Sequence, residues 1–243
     1  MKVYQLETTN YCNANCGYCP HDKMTRPKGY VSVEIVKKVA EYCQKNNQKY
    51  IALHHMGEPL LHVKLPDIIK IFKTHNVNCE FSTNGLLLKD FGYSVLESEP
   101  KLIRIACDYF YNKPGYIDNV NAFLRMCKNY PNTNIRIHTI TGNNLSVFKS
   151  GPNIIHEQKL QDNWASQINA KSEMPESKEC YFLKYNYCVV LWDGSIVSCC
   201  NDYDNKYPIG HITNINNINK NHLNLLCKDC KKLQFAEGGA WTT

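Results

Sequence analysis

Apolar and polar positions alternate along the first 140 residues with two different periods. Runs of period two, rich in β-branched and aromatic residues, predict strands at 3–8, 50–54, 77–81, 102–107 and 135–140. Stretches of period 3.6 between them predict helices at 31–43, 65–74, 85–98 and 116–129. Strands that alternate with helices in this way favour a parallel sheet with right-handed crossovers.

The predicted fold is α/β, with two parts and a connection. Five strands and four helices are too few for an eight-fold barrel, so residues 1–142 are predicted to form a shortened partial (β/α) barrel. Residues 143–179 are rich in Asn, Ser, Gly, Pro and charge and are predicted to connect the two parts. Residues 180–243 are predicted to form a small C-terminal domain, with a β-hairpin turning at Asp193-Gly194 and a helical stretch at 215–225.

Composition excludes several classes of protein. Of the 243 residues, 43% are hydrophobic, enough for an ordinary buried core. Neither end has a signal-peptide pattern, and apolar stretches such as 189–192 are far too short to span a bilayer, so we expect a cytoplasmic protein without membrane contact. The net charge of +6 suits an anionic cofactor, an acidic substrate or a reductase partner. The sequence has no long basic run, so we do not expect nucleic-acid binding.

Thirteen cysteines, an odd number without an export signal, favour metal ligands over disulfides. Cys12, Cys16 and Cys19 are spaced C-x3-C-x2-C in the loop after the first predicted strand. Three thiolates cap three corners of a cubane iron–sulfur cluster and leave the fourth iron open for a small molecule. The alternative is a structural zinc loop, for which His21 is the local fourth ligand.

A second set of cysteines lies near the C-terminal hairpin. Cys180, Cys199, Cys227 and Cys230 would supply four thiolates to a closed centre, either zinc or a second [4Fe–4S] cluster. Spacing alone does not choose between these metals. Cys188 or Cys200 could replace Cys199 as a ligand.

The cysteine loop, with Tyr18 just before its third cysteine, resembles the cluster motif of the radical S-adenosylmethionine (SAM) superfamily. The resemblance implies SAM bound at the open iron and cleaved reductively to a 5′-deoxyadenosyl radical that abstracts hydrogen from a substrate. Cys180, thirteen residues, Gly194, four residues and Cys199 resemble the opening of a SPASM domain. Because no cysteine follows Cys230, the shorter twitch version is implied, with one auxiliary [4Fe–4S] cluster.

Three further motifs at predicted strand ends are similar to SAM-binding segments of that superfamily. The run 54–59 resembles the GGE motif, with Met56 in place of the first glycine, and implies that Gly57 and Glu58 hold the SAM amine. A helix-capping role for Glu58 is the alternative. The resemblance further implies SAM contacts from Tyr18 in the cysteine loop and from four residues at later strand ends: Ser82, Asn84, Asp108 and Ile140.

The resemblance implies oxidation of a small molecule, with the auxiliary cluster accepting the surplus electron and a flavodoxin or ferredoxin as reductant. The five-strand, four-helix plan and the run 57–61 are similar to those of small-molecule dehydrogenases of the twitch subgroup. Such an oxidation needs a base, for which His54, His55 and Asp108 are the candidates. Modification of a peptide is an alternative, disfavoured because the first strand begins at Val3 and leaves no room for a recognition domain. A non-catalytic cluster carrier is a second alternative.

Overall fold

The computed structural model describes residues 1–169, 173, 180–218 and 226–230. In this part of the chain the strands are β1 (Lys2–Leu6), β2 (Tyr50–Ala52), β3 (Asn78–Thr83), β4 (Leu102–Ala106), β5 (Asn134–Thr139), β6 (Ile154–Gln158), β7 (Tyr187–Val190), β8 (Ser195–Val197) and β9 (Pro208–His211). The α-helices are α1 (Val33–Lys45), α2 (Leu65–Thr74), α3 (Leu88–Glu97), α4 (Tyr116–Met126), α5 (Tyr181–Lys184) and α6 (Leu226–Asp229).

All of these strands belong to one sheet, in the order β6-β5-β4-β3-β2-β1-β7-β8-β9. Neighbours from β6 to β7 run parallel, and β7, β8 and β9 run antiparallel. The predicted class, a mostly parallel partial barrel with a C-terminal hairpin, is confirmed. Because parallel strands end at one edge of a sheet, the loops after β1 to β5 meet there.

The two faces of the sheet differ in chemistry. Alternate residues of β3, β4 and β5, such as Phe81, Ile103 and Ile137, pack into the main core with the helices. The opposite face, called the inner face below, carries Glu80, Arg104, Arg136, His138 and Glu157. Charged residues on that face of a buried parallel strand call for partners or a ligand.

The structure departs from the predicted elements in the second half of the chain. The connecting segment contains a strand, β6, in which two adjacent isoleucines precede His156, Glu157 and Gln158. This sequence neither alternates nor is apolar enough to show the pattern of a strand. The hairpin gains a third strand, β9. The predicted helix at 215–225 is wrong at its start, because a 3₁₀ helix spans Ile212–Asn217 and Ile218 is extended. Residues 219–225 of that prediction lie outside the described residues.

The division of the chain at residues 142 and 179 stays a prediction, but the sheet runs through both parts. Strand β7 pairs with β1 over four residues, from Lys2 opposite Tyr187 to Leu6 opposite Val190. The hairpin turns where predicted, with Gly194 at a φ of 90° and Asp193 accepting a hydrogen bond from the Ser195 N–H. None of the helices in the described residues has the length and apolar character needed to cross a membrane.

Candidate active site at the carboxyl ends of the strands

Cys12, Cys16 and Cys19 lie in the loop between β1 and α1, and all three are partly buried. Burial is the largest cause that raises their thiol pKa values, to about 11 for Cys16 and about 12 for Cys19. The charge of Cys12 also raises the pKa of Cys16, and the charges of Cys16 and Cys12 raise that of Cys19. Metal binding to such thiols must release their protons, so their loading is expected to depend on pH.

The donor set of this loop fits an iron–sulfur cluster. The Cys12 sulfur is near the backbone N–H groups of Ala14 and Asn13, and the Cys19 sulfur is near that of His21. Backbone N–H groups stabilise cluster thiolates and tune the potential of the cluster. Within the described residues, no three His, Cys, Asp or Glu side chains converge on a site for one metal ion. The His21 ring binds the backbone carbonyl of Asn10, with Nε2 2.9 Å from the oxygen.

Two side-chain contacts tie the cysteine loop to later strand ends. Asn84, after β3, donates from Nδ2 to Oδ1 of Asn13 at 2.6 Å. The Tyr18 hydroxyl donates to Oδ2 of Asp108, after β4, at 3.0 Å. The structure therefore brings Tyr18, Asn84 and Asp108 together, although their roles toward SAM stay predictions.

Asp108 joins three loops through its carboxylate. Besides Tyr18, it accepts hydrogen bonds from the hydroxyl of Thr139 at 2.6 Å, the N–H of Ile140 at 3.0 Å and the hydroxyl of Thr141 at 2.8 Å. Burial alone would raise the pKa of Asp108, but these hydrogen bonds outweigh it and lower the pKa. A carboxylate held in this way is a weak proton acceptor, so the geometry favours a positioning role over the predicted base.

Glu58 is buried beneath the cysteine loop. Its Oε1 accepts from the Leu60 N–H at 3.0 Å, which caps a 3₁₀ helix, and its Oε2 accepts from the Asn84 N–H at 2.7 Å. Burial raises the pKa of Glu58 to about 7 in spite of these bonds, and its charge acts on Cys12 and Cys16. An ammonium group bound beside it would offset this desolvation, so capping and amine binding are compatible here.

Gly57 is the point at which the second strand end meets the cysteine loop. A Cβ at this position would lie 2.2 Å from the Thr9 carbonyl oxygen and 2.7 Å from that of Tyr11. These are backbone atoms, so no side-chain rotation relieves the overlap. The next residue donates its N–H to the Tyr11 carbonyl at 2.8 Å, which fixes the two segments against each other.

Gly57→Ala is therefore expected to lower the free energy of unfolding by about 1–3 kcal/mol, the usual cost of overpacking. Urea titration of the purified chain measures it. Gly17→Ala is the matched control, because a Cβ there meets nothing within 4 Å and the expected change is below about 0.5 kcal/mol. Equal stability of the two variants would contradict the close approach.

The other predicted site residues lie around this edge. Ile140, partly exposed, follows β5 beside Asp108, and Ser82 lies on the inner face at the end of β3. His54 and His55 follow β2. Burial, together with the positive charges of Arg104 and Lys159, lowers the pKa of His54 to about 3, so it is neutral at pH 7. As a base it would need a bound group that raises this pKa.

A buried ion pair that no sequence motif indicates anchors the same loop. Arg26 makes two bonds to Glu7, at 2.5 and 2.8 Å, and its Nε donates to the Tyr203 carbonyl at 2.7 Å. Asp204 accepts from the hydroxyl and N–H of Thr25. Contacts between residues so far apart in the chain leave no local pattern.

The second cysteine set is partly assembled by Asn201. Its N–H donates to Sγ of Cys199 at 3.3 Å, and its Nδ2 to Sγ of Cys230 at 3.5 Å. Cys180 and Cys199 both pack against one small apolar cluster beside β7. Cys227 is exposed on α6. Asn201 thus links Cys199 with Cys230, and a metal centre shared by all four cysteines stays a prediction.

The two alternatives to Cys199 are placed differently. Cys200 is buried in that apolar cluster with Phe182 and Val197, and Cys188 is fully buried in the main core. Buried thiols of this kind act as small apolar side chains. The placement favours Cys199 as the ligand.

Residues 6–149, more than half of the chain, match the model of the radical SAM superfamily. The chain therefore belongs to the radical SAM superfamily. Membership of this superfamily implies that SAM and a [4Fe–4S] cluster are cofactors. Curated relatives include a probable GTP 3′,8-cyclase of Methanothermobacter thermautotrophicus, 28% identical over 49% of this chain and 41% of its own length. Another is a tungsten-containing aldehyde ferredoxin oxidoreductase cofactor-modifying protein of Pyrococcus furiosus. It is 30% identical over 37% of this chain and 26% of its own length. The chain thus spans less than half of either relative.

Solved structures extend the similarity of fold to nearly the whole chain. BtrN in complex with AdoMet and 2-DOIA has a TM-score of 0.63 and 17% identity, over 88% of this chain and 78% of that one. anSMEcpe with bound AdoMet has a TM-score of 0.59 and 15% identity, over 91% and 81%. Both are radical SAM proteins, and at this identity they establish the shared fold.

Proposed function

We propose that this chain is a radical SAM oxidoreductase that dehydrogenates a small molecule. The observation that carries the proposal is the fixed arrangement of three thiols, Glu58 and Asp108 at one edge of a partial barrel. BtrN, a twitch radical SAM dehydrogenase, supports it as a relative in fold. When bound, the cluster and SAM would supply the 5′-deoxyadenosyl radical that abstracts hydrogen from the substrate.

Each residue of the site has a defined task in this proposal. Cys12, Cys16 and Cys19 hold three irons, and Glu58 accepts the ammonium of SAM. Asp108 and Tyr18 keep the cysteine loop over the strand ends.

An auxiliary [4Fe–4S] cluster at Cys180, Cys199, Cys227 and Cys230 would accept one electron from the substrate radical left by hydrogen abstraction. The proton lost in the same oxidation would pass to a base, for which His54 and His55 are the candidates. Four protein ligands suit an electron acceptor, since no iron is open to substrate. Asn201 supports this by donating to two of the sulfurs. A flavodoxin or ferredoxin would reduce the first cluster, and the net charge of +6 suits an acidic partner. Cysteines kept out of disulfides suit a cytoplasmic enzyme.

Modification of a peptide is the second candidate. SuiB of Streptococcus suis, solved bound to the precursor peptide SuiA, has a TM-score of 0.53 and 11% identity to this chain. Product analysis with peptide and small-molecule substrates separates the two candidates.

Anaerobic reconstitution, iron and sulfide counting and release of 5′-deoxyadenosine after dithionite reduction test the proposal. We expect about eight irons per chain and SAM cleavage. Cys199→Ala is expected to lose about four irons and keep cleavage, whereas Cys200→Ala keeps all eight. About four irons in the unaltered chain would contradict the proposed auxiliary cluster. Bound zinc without SAM cleavage would contradict the proposal that the chain is a radical SAM enzyme.

A further inference from the structure

The inner face of the sheet carries a group of cations that the site described above does not use. Arg104 on β4 and Arg136 on β5 are register partners, so their side chains leave the same face side by side. Like charges at paired positions of neighbouring strands are destabilising. Lys159, just after β6, adds a third cation, and its positive charge acts on His54 across the inner face.

Only two carboxylates balance these three cations among the ion pairs of the described residues. Glu80 binds Arg104 at 2.6 Å. Glu157 is shared between Arg136, at 3.6 Å, and Lys159, at 3.5 Å. Both contacts of Glu157 are longer than a charge-assisted hydrogen bond. The group therefore has one positive charge in excess, with loose partners on the β6 side.

The protonation equilibria agree with an excess of positive charge. Burial first, and then the charge of Arg104, lower the pKa of Lys159 to about 8, although Glu157 acts in the opposite direction. Burial, Lys159 and Arg104 lower the pKa of His138 well below its usual value. An anion placed between these groups would oppose both of these shifts.

Two buried imidazole nitrogens face the same region without a partner. Nδ1 of His54 and Nδ1 of His138 make no hydrogen bond within the described part of the chain. His138 lies on β5 two residues beyond Arg136 and is 5% exposed. A buried polar atom left without a partner is costly, and a neutral imidazole can donate one N–H to an oxyanion.

We infer that the inner face of β4–β6 binds an anionic group of the substrate, a phosphate or a carboxylate, between Arg104, Arg136 and Lys159. His54 and His138 donate to the same group. Arginines suit planar, two-point binding of such oxyanions, and Lys159 adds a point charge. The substrate class is therefore a small molecule that carries one of these groups.

The location agrees with the proposed function, on which this inference rests. The backbone N–H of Lys159 donates to the backbone carbonyl of Thr139 at 2.9 Å, and the Thr139 hydroxyl donates to the Asp108 carboxylate. His54 is three residues before Gly57 in the loop after β2. An anionic group held here would leave the rest of the substrate at the strand ends, beside the cysteine loop.

Two measurements on the reconstituted, SAM-loaded chain test the inference. Calorimetry measures the binding of pyrophosphate and of malonate. Mass spectrometry measures how far each probe protects Lys159 from acetylation. We expect one probe to bind and to slow acetylation of Lys159 at least fivefold. Lys159→Gln and Arg136→Gln should each weaken binding about tenfold, whereas Glu157→Gln should strengthen it severalfold by removing a competing carboxylate. Lys73→Gln, an exposed lysine paired with Glu99, is the matched control and should change nothing.

The two probes identify the anion, since preferred binding of pyrophosphate indicates a phosphate and of malonate a carboxylate. Binding of neither probe, or a Glu157→Gln variant that binds no better than the unaltered chain, would overturn the inference. Circular dichroism confirms that each variant folds. SAM cleavage in the same samples reports on the proposed function: cleavage without probe binding leaves that function standing, and probe binding without cleavage leaves only the anion site.

Discussion

Cys16→Ala is expected to abolish SAM cleavage and to lower the iron content from about eight to about four per chain. Cys16 is the middle cysteine of the proposed ligand triple, and its sulfur is also near the Tyr18 hydroxyl. Substituting a residue that only supports the metal ligands typically lowers metal affinity or activity by about 10–100-fold. Removing a ligand should therefore lower the rate of SAM cleavage by more than about 100-fold. Release of 5′-deoxyadenosine and iron counting on the same sample measure it.

Cys127→Ala is the control for that experiment, because Cys127 is fully buried in the main core and remote from the loop. It should keep both its iron and its cleavage activity. The proposed first cluster would be wrong if Cys16→Ala cleaved SAM at the rate of this control.

Arg26→Met is expected to lower the free energy of unfolding by about 3–5 kcal/mol, because it leaves a buried carboxylate uncompensated. The side chain of Glu7 is fully buried, that of Arg26 is 8% exposed, and the pair makes two bonds. Loss of Arg26 also removes the donor to the Tyr203 carbonyl. Urea titration of the apo chain gives the free energy directly.

Two further variants separate the ion pair from general damage. Adding Glu7→Gln to Arg26→Met should recover part of the stability, since the amide carries no charge to bury. Lys73→Met breaks the exposed pair with Glu99 and should cost less than about 1 kcal/mol. A loss below about 1 kcal/mol for Arg26→Met would contradict the buried pair.

The strands and helices of the partial barrel could be predicted from the sequence because each is encoded by a short-range pattern of apolar residues. Apolar strands and amphipathic helices alternate at short range, and α2 matches its predicted bounds of 65–74. The spacing of Cys12, Cys16 and Cys19 is likewise contained in one loop. Strand ends converge by topology, so Glu58, Asn84 and Asp108 could be placed together before any distance was known.

The contacts that fix the site were not predictable, because they join distant segments. Nothing near Arg26 in the sequence indicates Glu7 or Tyr203, and the hydrogen bonds that lower the pKa of Asp108 come from the end of β5 and the residues just after it. The polar inner face, in contrast, has a local signal. The tripeptide Ile-Arg-Ile occurs at 103–105 and again at 135–137, and an arginine between apolar residues of a buried strand indicates a polar inner face.

The pairing of β7 with β1 has a consequence for the order of events during synthesis. Strand β1 is made first, yet one of its edges has no partner until residue 190 has left the ribosome. The contacts of Arg26 with Tyr203 and of Thr25 with Asp204 form later still. A nascent or truncated chain that ends near residue 149 would contain every cysteine of the first triple and the contacts of Asn84 and Asp108 with their loop. It would lack strand β7 and the contacts of the loop with Tyr203 and Asp204.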